Sequence, residues 1–331
     1  MTVRIGINGF GRIGRSYLRA ALRSDADIEV VAINDIADAA TLASLLEWDS
    51  ISGHLDGVQV DRDAIVVGDA RIRVTAEREP ANIPWGDERV DVVIESTGRF
   101  TDAASARDHL AAGARKVIIS APASGDVPSV VLGVNDDAID AAGDVLSNGS
   151  CTTNCLAPMA KVLHEAFGIE SGLMTTIHAY TSDQRLHDAP HGDLRRARAA
   201  AMSTIPTSSG AAKTIGRIIP ELDGKLTGLA LRVPVPVGSI TDLTVQLTKP
   251  ATVEEVNSAF RAASEGAELS PYLAYSEAPI VSADIVGNPA SAIFDAPLTQ
   301  VVGNQVKIFA WYDNEWGFSN RLLDLSERIG A

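Results

Sequence analysis

Two side chains in this sequence could carry covalent chemistry, Cys151 and Cys155. They sit near the middle of the chain in Ser147-Asn148-Gly149-Ser150-Cys151-Thr152-Thr153-Asn154-Cys155. A strand-like apolar pair, Val145-Leu146, precedes this stretch, and a helix-like run from Leu156 to Phe167 follows it. Ser150 is a good N-cap, which predicts Cys151 in the first helical turn, where unpaired backbone N–H groups and the helix dipole favour a thiolate. A free thiol has a pKa of about 8.5; a helix start with a neighbouring histidine lowers it by roughly two units or more, and the sulfur is then mostly ionised at neutral pH. Unpaired cysteines are also commonly buried small hydrophobes. That is the reading for Cys155, and on the local pattern alone it stays open for Cys151.

A nucleophilic thiol needs a base, and the chain has six histidines. His164 falls on the cysteine's own helix, ~20 Å away at about 1.5 Å per residue. His54 and His109 lie in the first half and read as exposed, while His187 and His191 sit in a polar loop. His178, at the end of the strand pattern Leu173 to Thr181, remains by elimination. Three further features could bind anions. The basic run Leu194-Arg195-Arg196-Ala197-Arg198 stands out in an acidic chain, although such runs are often only solvated faces. Pro206-Thr207-Ser208-Ser209-Gly210 precedes a helical run, Ala211 to Ile219, and offers hydroxyls and N–H groups to an anion or simply a cap. Arg232 closes the strand Leu229-Ala230-Leu231 and can present a bidentate guanidinium. Two anion sites beside one thiol suit a phosphorylated substrate plus a free phosphate.

The elements before the cysteine read as a cofactor cradle. Val3 to Asn8 is a short strand, Gly9-Phe10-Gly11-Arg12-Ile13-Gly14 follows, and a helix runs to about Arg23: G-x-G-x-x-G between strand and helix, as in dinucleotide-binding folds. Gly9 permits the tight turn, Gly11 lets a pyrophosphate approach the backbone, and Gly14 lets helix and strand pack closely. A second strand, Glu29 to Ile33, ends in Asn34-Asp35, about 20 residues beyond Gly14, where a ribose-binding acid belongs. Asp35 can bond a free 2′-hydroxyl and repels a 2′-phosphate, which favours NAD over NADP. After a helix at Thr41 to Leu46, the strands Val58 to Val60, Ile65 to Val67 and Arg71 to Ala76 read as antiparallel excursions. Asp91 to Glu95 is a buried strand leading into Ser96-Thr97-Gly98, and Lys116 to Ser120 is another after a helix at Ala104 to Ala112. Ligands of open parallel sheets lie beyond the carboxyl ends of strands, so Thr97, Gly98 and Ser120 are placed to line the crevice or are ordinary turn residues.

At 331 residues, 46% of them hydrophobic, the chain can bury two cores of ordinary size. A net charge of −15 opposes non-specific attraction to nucleic acid or anionic membranes. Two cysteines four residues apart are poor disulfide geometry and suit a reducing compartment. With no secretory leader pattern and no run of about 18 apolar residues, the expectation is a soluble cytoplasmic protein without a metal site. Beyond Arg232, a strand at Thr241 to Thr248, a Thr252-capped helix to Glu265, strands at Ala292 to Phe294 and Gln305 to Tyr312, and a last helix at Trp316 to Ile329 complete the reading.

Taken in order, Ile7-Asn8-Gly9-Phe10-Gly11-Arg12-Ile13-Gly14-Arg15, Ala32-Ile33-Asn34-Asp35, Glu95-Ser96-Thr97-Gly98, Ser150 to Cys155, His178-Ala179-Tyr180-Thr181 and Trp311 to Glu315 resemble the phosphorylating glyceraldehyde-3-phosphate dehydrogenases of the glycolytic type over essentially the whole chain. The resemblance implies an α/β architecture: a Rossmann-type dinucleotide-binding domain, 1–150 with 316–331, and a catalytic α+β domain with a mixed sheet, 151–315, assembled as a homotetramer. It implies Cys151 as nucleophile and His178 as base, with NAD as cofactor. Thr181 and Arg232 would hold the substrate phosphate, Ser150, Thr152, Ser209 and Gly210 the attacking phosphate, and Arg195 or Arg196 would add a guanidinium. Asn314 would fix the nicotinamide amide and Arg78 would lie near the adenine. Three positions depart from the family's usual residues. Gly149 replaces a frequent Ala and is expected to loosen the turn; Ser209 replaces Thr; Ala189-Pro190 replaces Leu-Pro, removing a wedge against a 2′-phosphate. Ile36 after Asp35 still favours NAD, with weak NADP use. The sister activity on erythrose 4-phosphate shares the same motifs, and a non-catalytic NAD-binding regulator is the alternative of another class.

Overall fold

Strands covered on both faces need apolar side chains throughout, and in this chain such runs assemble into parallel pairs. The computed structural model describes residues 2–330. It has two compact units: one takes the chain up to Val130, Asp137–Gly149 and the end from Ser319 on, the other Val131–Asp136 and Ser150–Phe318.

The first unit contains an eight-stranded sheet built from β1 (Val3–Asn8), β2 (Ile28–Asn34), β3 (Val58–Asp61), β4 (Ala64–Val67), β5 (Ala70–Thr75), β6 (Val92–Glu95), β7 (Lys116–Ile119) and β8 (Val145–Ser147). Their order is β8-β7-β6-β1-β2-β5-β4-β3. Every neighbour pair from β8 across to β5 is parallel, and β3, β4 and β5 pair antiparallel among themselves. Arg71 to Ala76 is therefore not wholly an antiparallel excursion: β5 pairs with β4 on one side but also joins the parallel sheet, with Arg73 to Thr75 opposite Ala32 to Asn34. Turn signals reveal the hairpin but carry no information about which distant strand the second arm meets.

Helix α1 (Arg12–Ala21) follows β1, α2 (Ala39–Glu47) follows β2 with Asp38 capping Thr41 N–H, and α3 (Ala103–Ala111) is capped by Asp102. The strand order reverses at β1, whose neighbours are β2 on one side and β6 on the other; this is the switch point where open α/β sheets open a crevice. The C-terminal helix, Trp316–Gly330, meets this unit at its end, where Lys116 Nζ donates to the Ile329 carbonyl at 2.9 Å.

The second unit is built on a mixed sheet of β9 (Ile169–Ala179), β10 (Ile205–Ser208), β11 (Leu226–Val233), β12 (Ser239–Leu247), β13 (Leu273–Ser276), β14 (Ala292–Asp295), β15 (Gln300–Val302) and β16 (Gln305–Tyr312). The order is β10-β11-β9-β12-β16-β14-β13, with β15 paired to β16. Burial alternates residue by residue along β12, the signature of a sheet with one packed face. Helices α4 (Cys151–Phe167), α5 (Ala211–Ile218) and α6 (Val253–Glu265) contribute Leu156, Met159, Ile215 and Phe260 to its core. Phe260 and Phe294 stack there with centroids 3.9 Å apart. A capping box between Thr252 and Glu255 starts α6. Among the described residues no helix is long and apolar enough to cross a membrane.

Candidate active site

The first unit holds a cavity of about 560 Å³ at its switch point, lined by the ends of β1 (Asn8, Gly9, Gly11), β2 (Asn34, Asp35, Ile36) and β6 (Ser96, Thr97), with Glu77, Arg78, Glu79, Arg99 and Phe100. The three glycines of the fingerprint do different work. Gly9 has φ +90°, and a Cβ there would lie 2.7 Å from the Thr97 nitrogen. At Gly14 a Cβ would collide with the Gly9 carbonyl, whereas at Gly11 it would meet no protein atom within 4 Å. The loop is thus packed tightly behind and left open in front, the shape a pyrophosphate needs.

Asp35 is already drawn into the cradle, its two oxygens accepting from Phe10 N–H at 2.7 Å and Ala37 N–H at 3.0 Å. Each oxygen keeps a lone pair for a ribose hydroxyl. The other expected residues lie in and beside the same loop ends. Phe10 is buried, Ile13 is half-buried, Arg12 pairs with Asp49, Gly98 turns the chain with φ +68°, and Ser120 donates to the Glu95 carbonyl at 2.9 Å.

Beneath this cavity lies a polar network that reasoning from sequence missed. Glu95 is fully buried and accepts from Asn8 Nδ2 at 2.6 Å, Thr97 N–H at 2.8 Å and the Thr97 hydroxyl, and meets His109 Nε2 at 3.1 Å. His109, expected to be exposed, is buried, with Trp85 Nε1 donating to its Nδ1 at 3.0 Å. That bond leaves the ring proton on Nε2, facing the carboxylate. The available signal was Glu95 itself: a carboxylate closing an apolar buried strand must find donors.

In the second unit the Ser150 hydroxyl accepts from Thr153 N–H at 3.0 Å, starting α4 at Cys151. Gly149, in the turn before it, has φ +65°, a conformation that glycine adopts without strain, so this residue fits the turn rather than loosening it. Cys151 Sγ lies 3.4 Å from His178 Nε2. His178 sits near the end of β9, directly opposite Arg232 in the parallel pairing of β9 with β11, and this register lays guanidinium against imidazole. Arg232 Nη1 is 2.6 Å from His178 Nδ1, which is also 2.7 Å from the Ala179 carbonyl. Burial first, and then the Arg232 charge, push the His178 pKa down to about 3. Burial also pushes the Cys151 thiol up, against the pull of Arg232 and the N–H groups at the helix start. Arg232 and the N–H groups at the helix start favour the thiolate that the sequence predicts, and burial opposes them. Cys155 is buried, its thiol pushed up to about 12, as a core residue should be.

The hydroxyl of Thr152 is turned inward. It bonds Tyr312 OH at 2.8 Å, which bonds Thr176 Oγ1 at 2.7 Å, and the Tyr312 ring stands edge-on to His178. Thr181 donates to Asp183, which Arg196 Nη1 also meets at 2.6 Å; Arg196 Nε further donates to Thr207 Oγ1 at 2.8 Å. Arg195 is exposed, and its backbone N–H donates at 2.8 Å to Asp193, which also accepts from the Thr207 hydroxyl. At the start of α5, the Ser209 hydroxyl accepts from Ala211 N–H at 3.3 Å, and Gly210 is the cap residue. Asn314 accepts through Oδ1 from Gly238 N–H at 3.1 Å and the Ser239 hydroxyl at 3.0 Å, which orients its amide NH2 away from them.

Such a fold and such side chains suit a dinucleotide-dependent oxidoreductase: a crevice at the switch point of a parallel sheet in one unit and, in the other, a cysteine–histidine pair with an arginine against the imidazole. Residues 3–103 match the family model for the glyceraldehyde 3-phosphate dehydrogenase NAD binding domain, and residues 150–314 match that for the C-terminal domain of the same family. Glyceraldehyde-3-phosphate dehydrogenase 1 of Streptomyces avermitilis is 61% identical, covering all of this chain and 99% of its own length. The glyceraldehyde-3-phosphate dehydrogenases of Mycobacterium avium and Mycobacterium tuberculosis strain H37Rv are likewise 61% identical with the same coverage. The chain belongs to the glyceraldehyde-3-phosphate dehydrogenase family.

Proposed function

We propose that this chain catalyses the NAD-dependent oxidative phosphorylation of D-glyceraldehyde 3-phosphate to 1,3-bisphosphoglycerate. The observation that carries the reading is Cys151 at the start of α4 with its sulfur 3.4 Å from His178 Nε2. Cys151 attacks the aldehyde carbon as its thiol proton passes to His178, giving a thiohemiacetal whose oxygen is steadied by His178 and the Cys151 N–H. His178 returns that proton to the thiohemiacetal oxygen, forming its hydroxyl, and takes it back as the carbon is oxidised to a thioester. When bound, NAD supplies the acceptor for the hydride that leaves this carbon. Inorganic phosphate attacks the thioester carbon, the C–S bond breaks with its electron pair staying on Cys151 Sγ, and the acyl group leaves as the acyl phosphate 1,3-bisphosphoglycerate.

Thr181 and Arg232 hold the substrate phosphate in this reading, joined by Arg196, whose bonds reach the carboxylate that Thr181 meets. Ser150, Ser209 and Gly210 receive the attacking phosphate; Thr152 does so only if its hydroxyl leaves Tyr312. The cavity suits NAD: it is open at Gly11, has a carboxylate at Asp35 and has Arg78 on its wall. Asn314 holds the nicotinamide amide. A dinucleotide-binding domain of 1–150 with 316–331, a catalytic domain of 151–315, a homotetramer and a cytoplasmic location belong to the same proposal.

The test is NAD reduction by both glyceraldehyde 3-phosphate and erythrose 4-phosphate, with and without inorganic phosphate. Glyceraldehyde 3-phosphate is expected to be the faster substrate, with sustained turnover only when phosphate is present; a faster reaction with erythrose 4-phosphate reverses the assignment. Cys151→Ser is expected to lose roughly 10⁴-fold or more in turnover while retaining NAD binding.

A further inference from the structure

A single hydroxyl, that of Ser239, connects the residue after the catalytic histidine to the amide proposed to hold the nicotinamide. Ser239 opens β12, just beyond the last paired residues of β9 and β12, Ile177 and Ile240. Its oxygen accepts from the Ala179 N–H at 3.1 Å. Ala179 follows His178 directly, and its carbonyl lies 2.7 Å from His178 Nδ1. A hydroxyl has one proton, and that of Ser239 goes to Asn314 Oδ1 at 3.0 Å. The Gly238 N–H donates to the same oxygen at 3.1 Å. A backbone N–H can only donate, so the amide edge that faces Gly238 must be the oxygen. With the amide turned over, two donors would stand 3.1 Å apart and the Ser239 proton would have no acceptor among the described residues. The chain from Ala179 N–H through Ser239 O–H to Asn314 Oδ1 thus has one direction, and all three residues are buried. Asn314 Nδ2 is left over, met by no acceptor among the described residues.

We infer that Ser239 is a positioning residue for the cofactor: it pins the Asn314 amide so that its NH2 is offered to the oxygen of the nicotinamide carboxamide, and it ties that amide to the peptide after His178. This rests on the proposed role of Asn314 and deepens it. Two hydrogen bonds on Oδ1 hold the amide plane, so the donor is set before the cofactor arrives and little freedom is lost on binding. Asn314 is itself never a proton donor in the reaction; it selects one orientation of the carboxamide, and Ser239 selects the orientation of Asn314. Because the same hydroxyl also holds the Ala179 N–H, the group that orients the hydride acceptor and the group that takes the proton share one frame.

The experiment titrates the full chain with NAD and with ADP-ribose, which lacks the nicotinamide. In Asn314→Ala the NAD affinity is expected to fall about tenfold, the worth of one good hydrogen bond, and in Ser239→Ala about threefold or more, while ADP-ribose binds both variants within about twofold of the unmutated protein. General loosening of the structure would weaken both ligands alike. Nitrogen-15 relaxation of the Asn314 side chain, assigned by comparison with Asn314→Ala, supplies a readout on the unmutated, cofactor-free protein. An order parameter of about 0.85, that of rigid backbone, is expected, and a value below about 0.6 overturns the inference. So does a Ser239→Ala protein that keeps its NAD affinity, or that loses NAD and ADP-ribose affinity equally, when Asn314→Ala weakens NAD alone; the role of Asn314 then stands. An unchanged NAD affinity in Asn314→Ala removes that role, and the positioning by Ser239 with it.

Discussion

The cofactor cradle of the first unit and the catalytic cluster of the second prepare for their ligands in opposite ways. The cradle is made largely of backbone and is open: Gly11 faces empty space, and Asp35 is aimed by two N–H groups with lone pairs to spare. The cluster is made of side chains and is closed on itself. Arg232 rests on His178, Arg196 and Thr181 on Asp183, and the Thr152 hydroxyl on Tyr312. A preformed site binds with little reorganisation, whereas a self-paired site must exchange internal bonds for ligand bonds, and it can tie that exchange to chemistry.

The comparison breaks most directly at the glycines. Gly14→Ala puts a methyl group into the Gly9 carbonyl, and backbone on both sides leaves nothing flexible to give way. Overpacking of this kind costs about 1–3 kcal/mol. Gly11→Ala adds its methyl group where no protein atom lies within 4 Å, at φ −73°, so stability is expected to stay within about 0.5 kcal/mol while NAD affinity falls. Denaturant unfolding of both variants, with NAD titrations, measures the two effects separately. Equal losses of stability would mean that the front of the loop is not open.

A smaller effect tests the closed cluster. His178 has a folded pKa of about 3, below the ordinary histidine value of about 6.5. Between these values the unfolded chain binds a proton that the folded chain refuses, so this residue's contribution is favourable above about pH 6.5 and is lost as pH falls, at about 1.4 kcal/mol per unit. His178→Asn lacks the titration. Its unfolding free energy is therefore expected to fall less steeply than that of the unmodified protein, the gap closing by about 2 kcal/mol between pH 6.5 and pH 5. Parallel curves would mean that the ring is protonated in the fold and that Arg232 does not dominate its surroundings.

The two regions were not equally legible in the sequence, and for the same reason. Glycine spacing encodes backbone shape locally, so the cradle and its acid could be read from residues 3–35, and Ser150 announced the start of α4. Partners of side chains depend on strand register. The His178–Arg232 contact requires β9 and β11, more than fifty residues apart, to pair in parallel in one alignment. Burial of His109 requires Trp85 and Glu95 to converge on it, and α3 has too weak an amphipathic pattern to reveal which way that ring faces. The resemblance assigns Thr152 to the attacking phosphate, and no local signal shows that its hydroxyl meets Tyr312, from the last strand of the sheet. Strand β10 was missed because Pro206 argues against a strand, yet β10 lies at the sheet edge, where proline is tolerated.

Cys155 tests the lower limit of the closed cluster. It lies one turn beyond Cys151 on α4, fully buried, its sulfur 3.6 Å from the Ala310 carbonyl and 3.9 Å from Met159 Sδ. Serine in its place would be slightly smaller and could donate to the same carbonyl, so its hydroxyl would be partly satisfied in an apolar setting. The expected cost is about 1 kcal/mol of stability, with most turnover retained. Unfolding midpoints and steady-state rates on one preparation check both parts. A loss of turnover approaching that of Cys151→Ser, without a matching loss of stability, would place Cys155 among the reacting groups and extend the cluster a full turn into what is now packed core.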